Sequence, residues 1–408
     1  MVCGKSVHVD HFGADTMTLA FGVFDHIEHL PGVSLEQLYD ERLQQLELFD
    51  RYGFYSYHLA EHHTPAVHSM APSQNVFLAA AAQRTTRLRF GPCVYVMPLH
   101  HPLRLIEEIS MLDHLSKGRL EIGVGRGGVL EAYFWCQDSE PEVNEARYHE
   151  TLGIVLEGLS HEELTYHGQF YDFEAVPMRL RPKQTPYPPL WYMRNPETAA
   201  RGGMNCLVLG SLDRMEALAL RYRRIWAECH GAQVLTLQGT VPKVGLVTHI
   251  VLADTDAEAM AIAKPAWDAY MWNLGTPRRL EAERRGLTQF INRRDTGSVA
   301  SQSVPERHRA LEERRDLEDA LRELSDDERR ERDARRANPG GLGSAVVTGS
   351  PDTVRVYLDE YAKCDVNYCV FSFQWGNLTH AHATRSIQLF AEELMPHYTS
   401  RSRDEVRP

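Results

Sequence analysis

Short apolar runs alternate along this chain with longer stretches in which apolar residues recur every three or four positions. Residues 18–24 and 55–60 read as buried strands. Between them Leu35, Leu38, Tyr39, Leu43, Leu46 and Phe49 fall at helical spacing, and Gly53 is the residue type that closes a helix. The rhythm continues with an alanine-rich helix over 75–84, a strand over 88–97, a helix over 104–115 stopped near Gly118, a strand over 120–125 and a helix over 144–159. In the second half, strands are expected at 190–193, 206–209, 244–253 and 368–373. Helices are expected at 214–229, from 256 to about 273, at 351–363 and at 380–395. About eight strands, each paired with a helix, predict an α/β fold of the TIM (β/α)8 barrel class. An open doubly wound sheet shows the same alternation with fewer repeats.

Residues 276–340 break the rhythm. They are dense in Arg and Glu and poor in large apolar residues, so they read as a charged helical insertion before the last βα unit. Two roles fit: a solvated excursion laced with i,i+4 ion pairs, or a lid over the barrel mouth. The resulting division is an N-terminal extension (1–16), barrel units one to seven (17–275), the insertion (276–340), the last unit with its C-terminal helix (341–398) and a tail (399–408).

Composition narrows the class. The chain is 43% hydrophobic and 25% charged, ordinary for a globular enzyme, and its net charge of -12 argues against a nucleic-acid binder. The seven cysteines are irregularly spaced with no CxxC pair, which suits reduced thiols in the cytoplasm. No signal-peptide pattern or membrane-length apolar run is expected.

Candidate chemistry starts at Glu61-His62-His63, where the second strand gives way to a polar loop. That edge of a parallel sheet is where ligands bind, and an imidazole holds or moves a proton near neutral pH. A hydrogen-bonded structural pair is the plain alternative. Metal binding needs a third ligand, for which His58, His68 and His100-His101 are the nearby choices. The sequence defines no coordination geometry, and no metal is expected. Residues 123–128 match G-x-G-x-x-G after a strand, but in the fourth βα unit rather than the first, and residues 129–137 do not open as a clear helix. A tight turn against a cofactor, with Arg126 supplying charge, is the better reading. After the strand at 190–193, Asn195 is placed to cap a helix with Pro196 in its first turn. That end suits an anion, with Arg194 and Thr198 alongside. No G-x-S-x-G elbow is present.

Taken in order, these motifs resemble the bacterial luciferase-like, flavin-dependent monooxygenases. The resemblance runs through Tyr57 to His63, Arg87 to Gly91, Met97 to Arg104, Glu107 to Arg119, Gly123 to Gly127, Thr348 to Val354 and Leu389 to Pro396. It implies a TIM barrel that binds reduced FMN at its C-terminal mouth. A separate flavin reductase supplies the flavin, and one oxygen atom from O2 enters a small organic substrate by way of a C4a-peroxyflavin.

By the same resemblance His62 is the catalytic residue beside flavin C4a. The main chain of Glu61 approaches the ring, Cys93-Val94 is a non-prolyl cis bond beneath it, and Gly125 stands where luciferase has a reactive cysteine. Arg126 and Arg147 match phosphate-binding arginines, and Asn195 and Thr198 match the phosphate cap. His26, Tyr95, Trp135 and Trp375 are candidates for the substrate pocket, each equally suited to core packing. A homodimer is implied. Two alternatives stay open: an F420-dependent hydride-transfer oxidoreductase, and a non-catalytic flavin-binding partner subunit.

Overall fold

The computed structural model describes residues 19–63, 68–136, 140–231, 235–290, 341–343, 345–364 and 366–399. β1 (Ala20–Asp25), β2 (Ser56–Leu59), β3 (Arg89–Pro92), β4 (Tyr95–Val96) and β5 (Ile122–Gly125) begin one sheet. β8 (Leu190–Met193), β9 (Asn205–Leu209), β10 (Val244–Leu252) and β12 (Tyr368–Ser372) continue it, all paired in parallel. β12 returns to β1, in register Ala20 with Tyr368. β3 pairs with β2 and β4 with β5, so the two share the third of eight positions, and a bridge from Phe90 to Leu120 closes the circuit. The TIM-barrel expectation holds, because each expected strand takes one of those positions.

The helices follow from local chemistry. In α1 (Leu35–Tyr52) the Ser34 hydroxyl caps the start by accepting from the Gln37 amide, and Leu38, Leu46 and Phe49 face the core. α2 (Gln74–Arg84), α3 (Pro102–Leu115), α4 (Val129–Phe134) and α5 (Pro141–Ser160) surround the first half. α6 (Pro196–Arg201), α7 (Leu212–His230), α8 (Asp256–Arg285), α9 (Pro351–Ala362) and α10 (His380–Leu389) surround the second. The main core lies between sheet and helices. A smaller one fills the barrel interior with Phe24, Cys93, Trp191, Leu207, Tyr368 and Val370.

Several local expectations are corrected. The strand expected over 88–97 breaks at Cys93-Val94 and ends in a tight turn at Met97–Leu99. Residues 129–134 do form a short helix, α4, started at Gly128 in extended backbone. The helix expected to end near Asn273 runs on to Arg285, so residues 276–285 belong to α8 even though Pro265 and Pro277 lie within it. β11 (Val346–Gly349) adds a parallel strand beside β10, and β6 (Glu163–His167) with β7 (Asp172–Pro177) forms an antiparallel hairpin off the barrel. The strands of that hairpin are largely exposed, so they carry little of the buried alternation that marks a strand in sequence. Residues 291–340 of the insertion, the extension 1–16 and residues 400–408 of the tail lie outside the described residues. The six described cysteines are free, and no described helix is long and apolar enough to cross a membrane.

Barrel-interior His58 makes a testable contribution to stability. Its Nε2 shares a 2.8 Å hydrogen bond with the Tyr368 hydroxyl, its ring packs on Trp191, and burial pushes its pKa down to about 4. The unfolded chain protonates this ring near its ordinary value while the folded one does not. Stability therefore rises with pH between about 4 and 6.5, and the group's contribution is complete above that window. The loss on acidification to the lower limit is roughly 3 kcal/mol. Urea unfolding midpoints measured across the window should flatten in a His58→Asn variant relative to the wild type.

Candidate active site at the barrel mouth

The C-terminal ends of β1 and β2, and the loops that follow them, bring the titratable groups together. Glu61 is buried. It accepts the Val96 amide at 3.0 Å and shares hydrogen bonds with His63 Nε2 at 2.7 Å and His100 Nε2 at 3.0 Å. Burial pushes the Glu61 pKa up, but His100 and His63 outweigh it and hold the carboxyl below its ordinary value. Burial likewise pulls His100 down, and Glu61 more than reverses this. Glu61 therefore ties the end of β2 to β4 and to the loop after it.

His62 is partly buried with its ring near-parallel to His26 at 5.6 Å, and it lies 4.3 Å from the ring of His68. Its Nδ1 is 3.3 Å from Oε1 of Glu131 in α4. Glu131 also accepts the His63 amide at 3.3 Å and the Arg278 guanidinium of α8. Burial opposes ionisation of Glu131, yet these partners, His62 foremost, hold its pKa at about 2. Neither Glu131 nor Arg278 was marked by sequence reasoning. An acid in the first turn after a glycine-rich loop was the one local signal for Glu131, and nothing local pointed to Arg278.

A ring-lined wall continues from His26. Burial, then His62, His249, Arg194 and Arg278, hold the His26 pKa far below its ordinary value. His249, pushed down to about 4 by burial, lies 4.3 Å from Tyr270 and 5.2 Å from Trp375. Beneath this wall Glu28 accepts from Asn273 at 2.8 Å and from the Gly376 amide at 3.1 Å, and burial pushes its pKa up to about 7.

The remaining expected residues divide. The Cys93-Val94 peptide is cis, and Gln74 Nε2 donates to the Val94 carbonyl at 3.2 Å. Gly125 lies against it: a Cβ there would fall 2.5 Å from Val94 Cγ2, so no side chain is accommodated. Gly127 has φ +73°, and a Cβ would overlap Val96. Tyr95 is buried, donates to Asn75 and packs 5.5 Å from His100. Trp135 is 46% exposed, with its ring 4.6 Å from His63. Trp375 is buried in the ring-lined wall, and its Nε1 lacks a hydrogen-bond partner among the described residues.

Arg126 donates to Glu145 at 3.1 Å near the surface, while the Arg147 guanidinium stacks over Phe170 at 4.1 Å. Asn195 caps α6 by accepting the Thr198 amide at 3.2 Å, and Arg194 before it has φ +70°. Glu131 lies five positions after Arg126, so the second and fourth βα junctions meet at the His62–Glu131 contact. An open hollow of about 590 Å³ at the other end of the barrel, lined by Arg87, Arg89 and Arg119, is remote from all of this.

A parallel α/β barrel with a cluster of histidines and buried carboxylates at its C-terminal mouth is the scaffold of an enzyme acting on small molecules. Residues 19–367 match the model of the luciferase-like monooxygenases, and the chain belongs to that family. The uncharacterized protein y4wF of Sinorhizobium fredii is 39% identical over 262 residues, 62% of this chain and 73% of its own length. The oxygenase component of a flavin-dependent trigonelline monooxygenase from Acinetobacter baylyi is 27% identical over 254 residues, 60% of this chain and 68% of its own.

Among solved structures, the oxygenating constituent of 3,6-diketocamphane monooxygenase from Pseudomonas putida, in complex with FMN, superposes with a TM-score of 0.64 at 18% identity. It covers 93% of this chain and 99% of its own. An F420-dependent tetrahydromethanopterin reductase from Methanopyrus kandleri gives 0.60 at 17% identity, covering 94% and 100%. These two likenesses establish the shared barrel.

Proposed function

We propose that the protein is the oxygenase component of a two-component system. It would accept reduced FMN from a separate reductase and place one oxygen atom of O2 into a small organic substrate. The observation that carries this reading is His62 at the mouth, backed by a carboxylate held ionised at about 2. With Nδ1 turned to Glu131, Nε2 is the nitrogen left to give or take a proton. Reduced FMN, when bound, supplies the electron pair that activates O2.

The donor set fits such a group. Among the described residues the Arg126 guanidinium pairs with Glu145, an exposed carboxylate that a phosphate can displace, and Arg147, Asn195 and Thr198 would complete its anion site. Gly125 and the main chain of Glu61 and of Cys93-Val94 would border the ring. His26, Tyr270 and Trp375 would enclose an apolar or conjugated substrate and keep water from it.

Fluorescence titration of the purified chain with FMN and with F420 tests the cofactor. Preference for reduced FMN, together with a one-oxygen mass gain in product when a flavin reductase is added, is expected. Preference for F420 with hydride transfer would replace the reading. A homodimer is also proposed, because Val76 on α2 and Met111 and Leu115 on α3 are large apolar residues left exposed on adjacent helices. Light scattering should give twice the chain mass, and Met111→Glu with Val76→Glu should halve it.

A further inference from the structure

Proton transfer at His62 gives no role to His68 and gives His26 only a place in the pocket wall. His26 extends from the end of β1, His62 from the end of β2 and His68 from the loop beyond, and one ring nitrogen of each lies within 4.8 Å of the others. His68 is fully buried, and neither ring nitrogen reaches a partner at full hydrogen-bond geometry, the approach of the Asn273 main chain falling short of it. A buried imidazole in that condition points to something beyond the polypeptide that satisfies it.

Its neighbours complete the pattern. Glu131 stands behind His62 Nδ1 at 3.3 Å, the carboxylate–imidazole pairing that orients a metal-bound histidine and leaves Nε2 as the ligand atom. Arg278 occupies the same Glu131 oxygen, so that carboxylate supports a ligand rather than acting as one. His26 and His62 are only partly buried, which leaves one side of the triad open to a water. Three imidazoles and a water are a familiar zinc set. Its nitrogens stand roughly 3.3 Å apart at ordinary zinc–nitrogen distances, a contraction within reach of ring rotation. No carboxylate oxygen joins the cluster, which disfavours magnesium and calcium.

We propose that His26, His62 and His68 bind a divalent transition-metal ion of the zinc class, with water at the open position. Occupancy ties the His62 lone pair to the metal and so suppresses the proton transfer assigned above. That consequence rests on the oxygenase reading, whereas the binding itself does not.

The test uses the full chain stripped of metal. Zinc is titrated in competition with a chromophoric chelator, and cobalt is titrated by visible absorption. One ion per chain is expected, with cobalt bands of low coordination number and a rise in melting temperature on zinc addition. His68→Ala and His68→Gln should each weaken zinc binding by at least about 100-fold, and Glu131→Gln by about 10-fold. His114→Ala, remote from the triad, should leave it unchanged. The two His68 variants, each compared with its own metal-free form, should gain nothing in melting temperature from zinc.

Equal affinity in wild type and His68 variants, or no saturable site, would overturn the proposal. Zinc should also slow oxygenation, with restoration by chelator. Binding without slowing would remove the link to His62. Absence of any oxygenation without metal would count against the flavin reading alone and leave the titration result standing.

Discussion

Replacing His62 with alanine should lower the rate of oxygenated product formation by about 10²–10⁴-fold, the range carried by a positioned acid–base group. The reason is geometric. The ring is partly exposed at the mouth and lies near-parallel to His26, and Glu131 engages its Nδ1 at 3.3 Å, which presents Nε2 to the cavity. Alanine removes the proton carrier but leaves the groups expected to hold FMN: Arg126 and the Asn195 cap come from other junctions. Affinity for reduced FMN should therefore change by less than about tenfold, so the effect falls on turnover rather than on binding. Hydrogen peroxide release per electron pair consumed should rise as product falls. Glu131→Gln should give a smaller loss, since it weakens the orientation of the ring without deleting it. Single-turnover product yield by mass spectrometry checks both variants, and an undiminished rate in His62→Ala would remove the role assigned to it.

The largest expected loss of stability follows from Arg89→Ala. Glu121 is buried in the barrel wall, where it accepts from Arg89 Nε at 2.7 Å, the Tyr55 hydroxyl at 2.7 Å, Trp191 Nε1 at 2.8 Å and the Ser56 hydroxyl at 3.2 Å. Arg89 also donates to the Gly118 and Leu120 carbonyls and to Gln184. Without the guanidinium a buried carboxylate loses its charge partner and two carbonyls lose donors. Breaking one side of such a pair costs about 3–5 kcal/mol. Arg89→Lys retains the charge but not the planar fork, so its cost should be intermediate. Adding Glu121→Gln to Arg89→Ala should recover part of the loss, because the uncompensated charge is then gone. Urea denaturation of the four proteins measures the series. A cost below about 1 kcal/mol for Arg89→Ala would mean that Tyr55 and Trp191 suffice to hold Glu121.

The two networks were not equally legible in the sequence. The barrel was, because burial of one strand face and one helix stripe imposes a period on the chain, and eight such units leave few arrangements. His62 was legible because a polar cluster at a strand end interrupts that period. Glu131 and Arg278 were not. They lie 69 and 216 positions from His62, on helices whose local pattern carries no link to it. The hairpin β6–β7 escaped because its strands are mostly exposed. Tyr95 and Trp375 illustrate the opposite case: both are aromatic residues near strand ends, and both are buried against neighbours that only folding supplies.

Hydrophobic periodicity, together with the order of the motifs, therefore determined by itself the eight-fold βα architecture and the strand end that bears His62. Which groups surround that imidazole was decided in three dimensions. Glu131, Arg278, His26 and His68 converge on it from separate loops and helices because closing the sheet brings its C-terminal ends together. Contacts of that kind leave no repeat in a linear chain, since they depend on backbone closure rather than on local spacing.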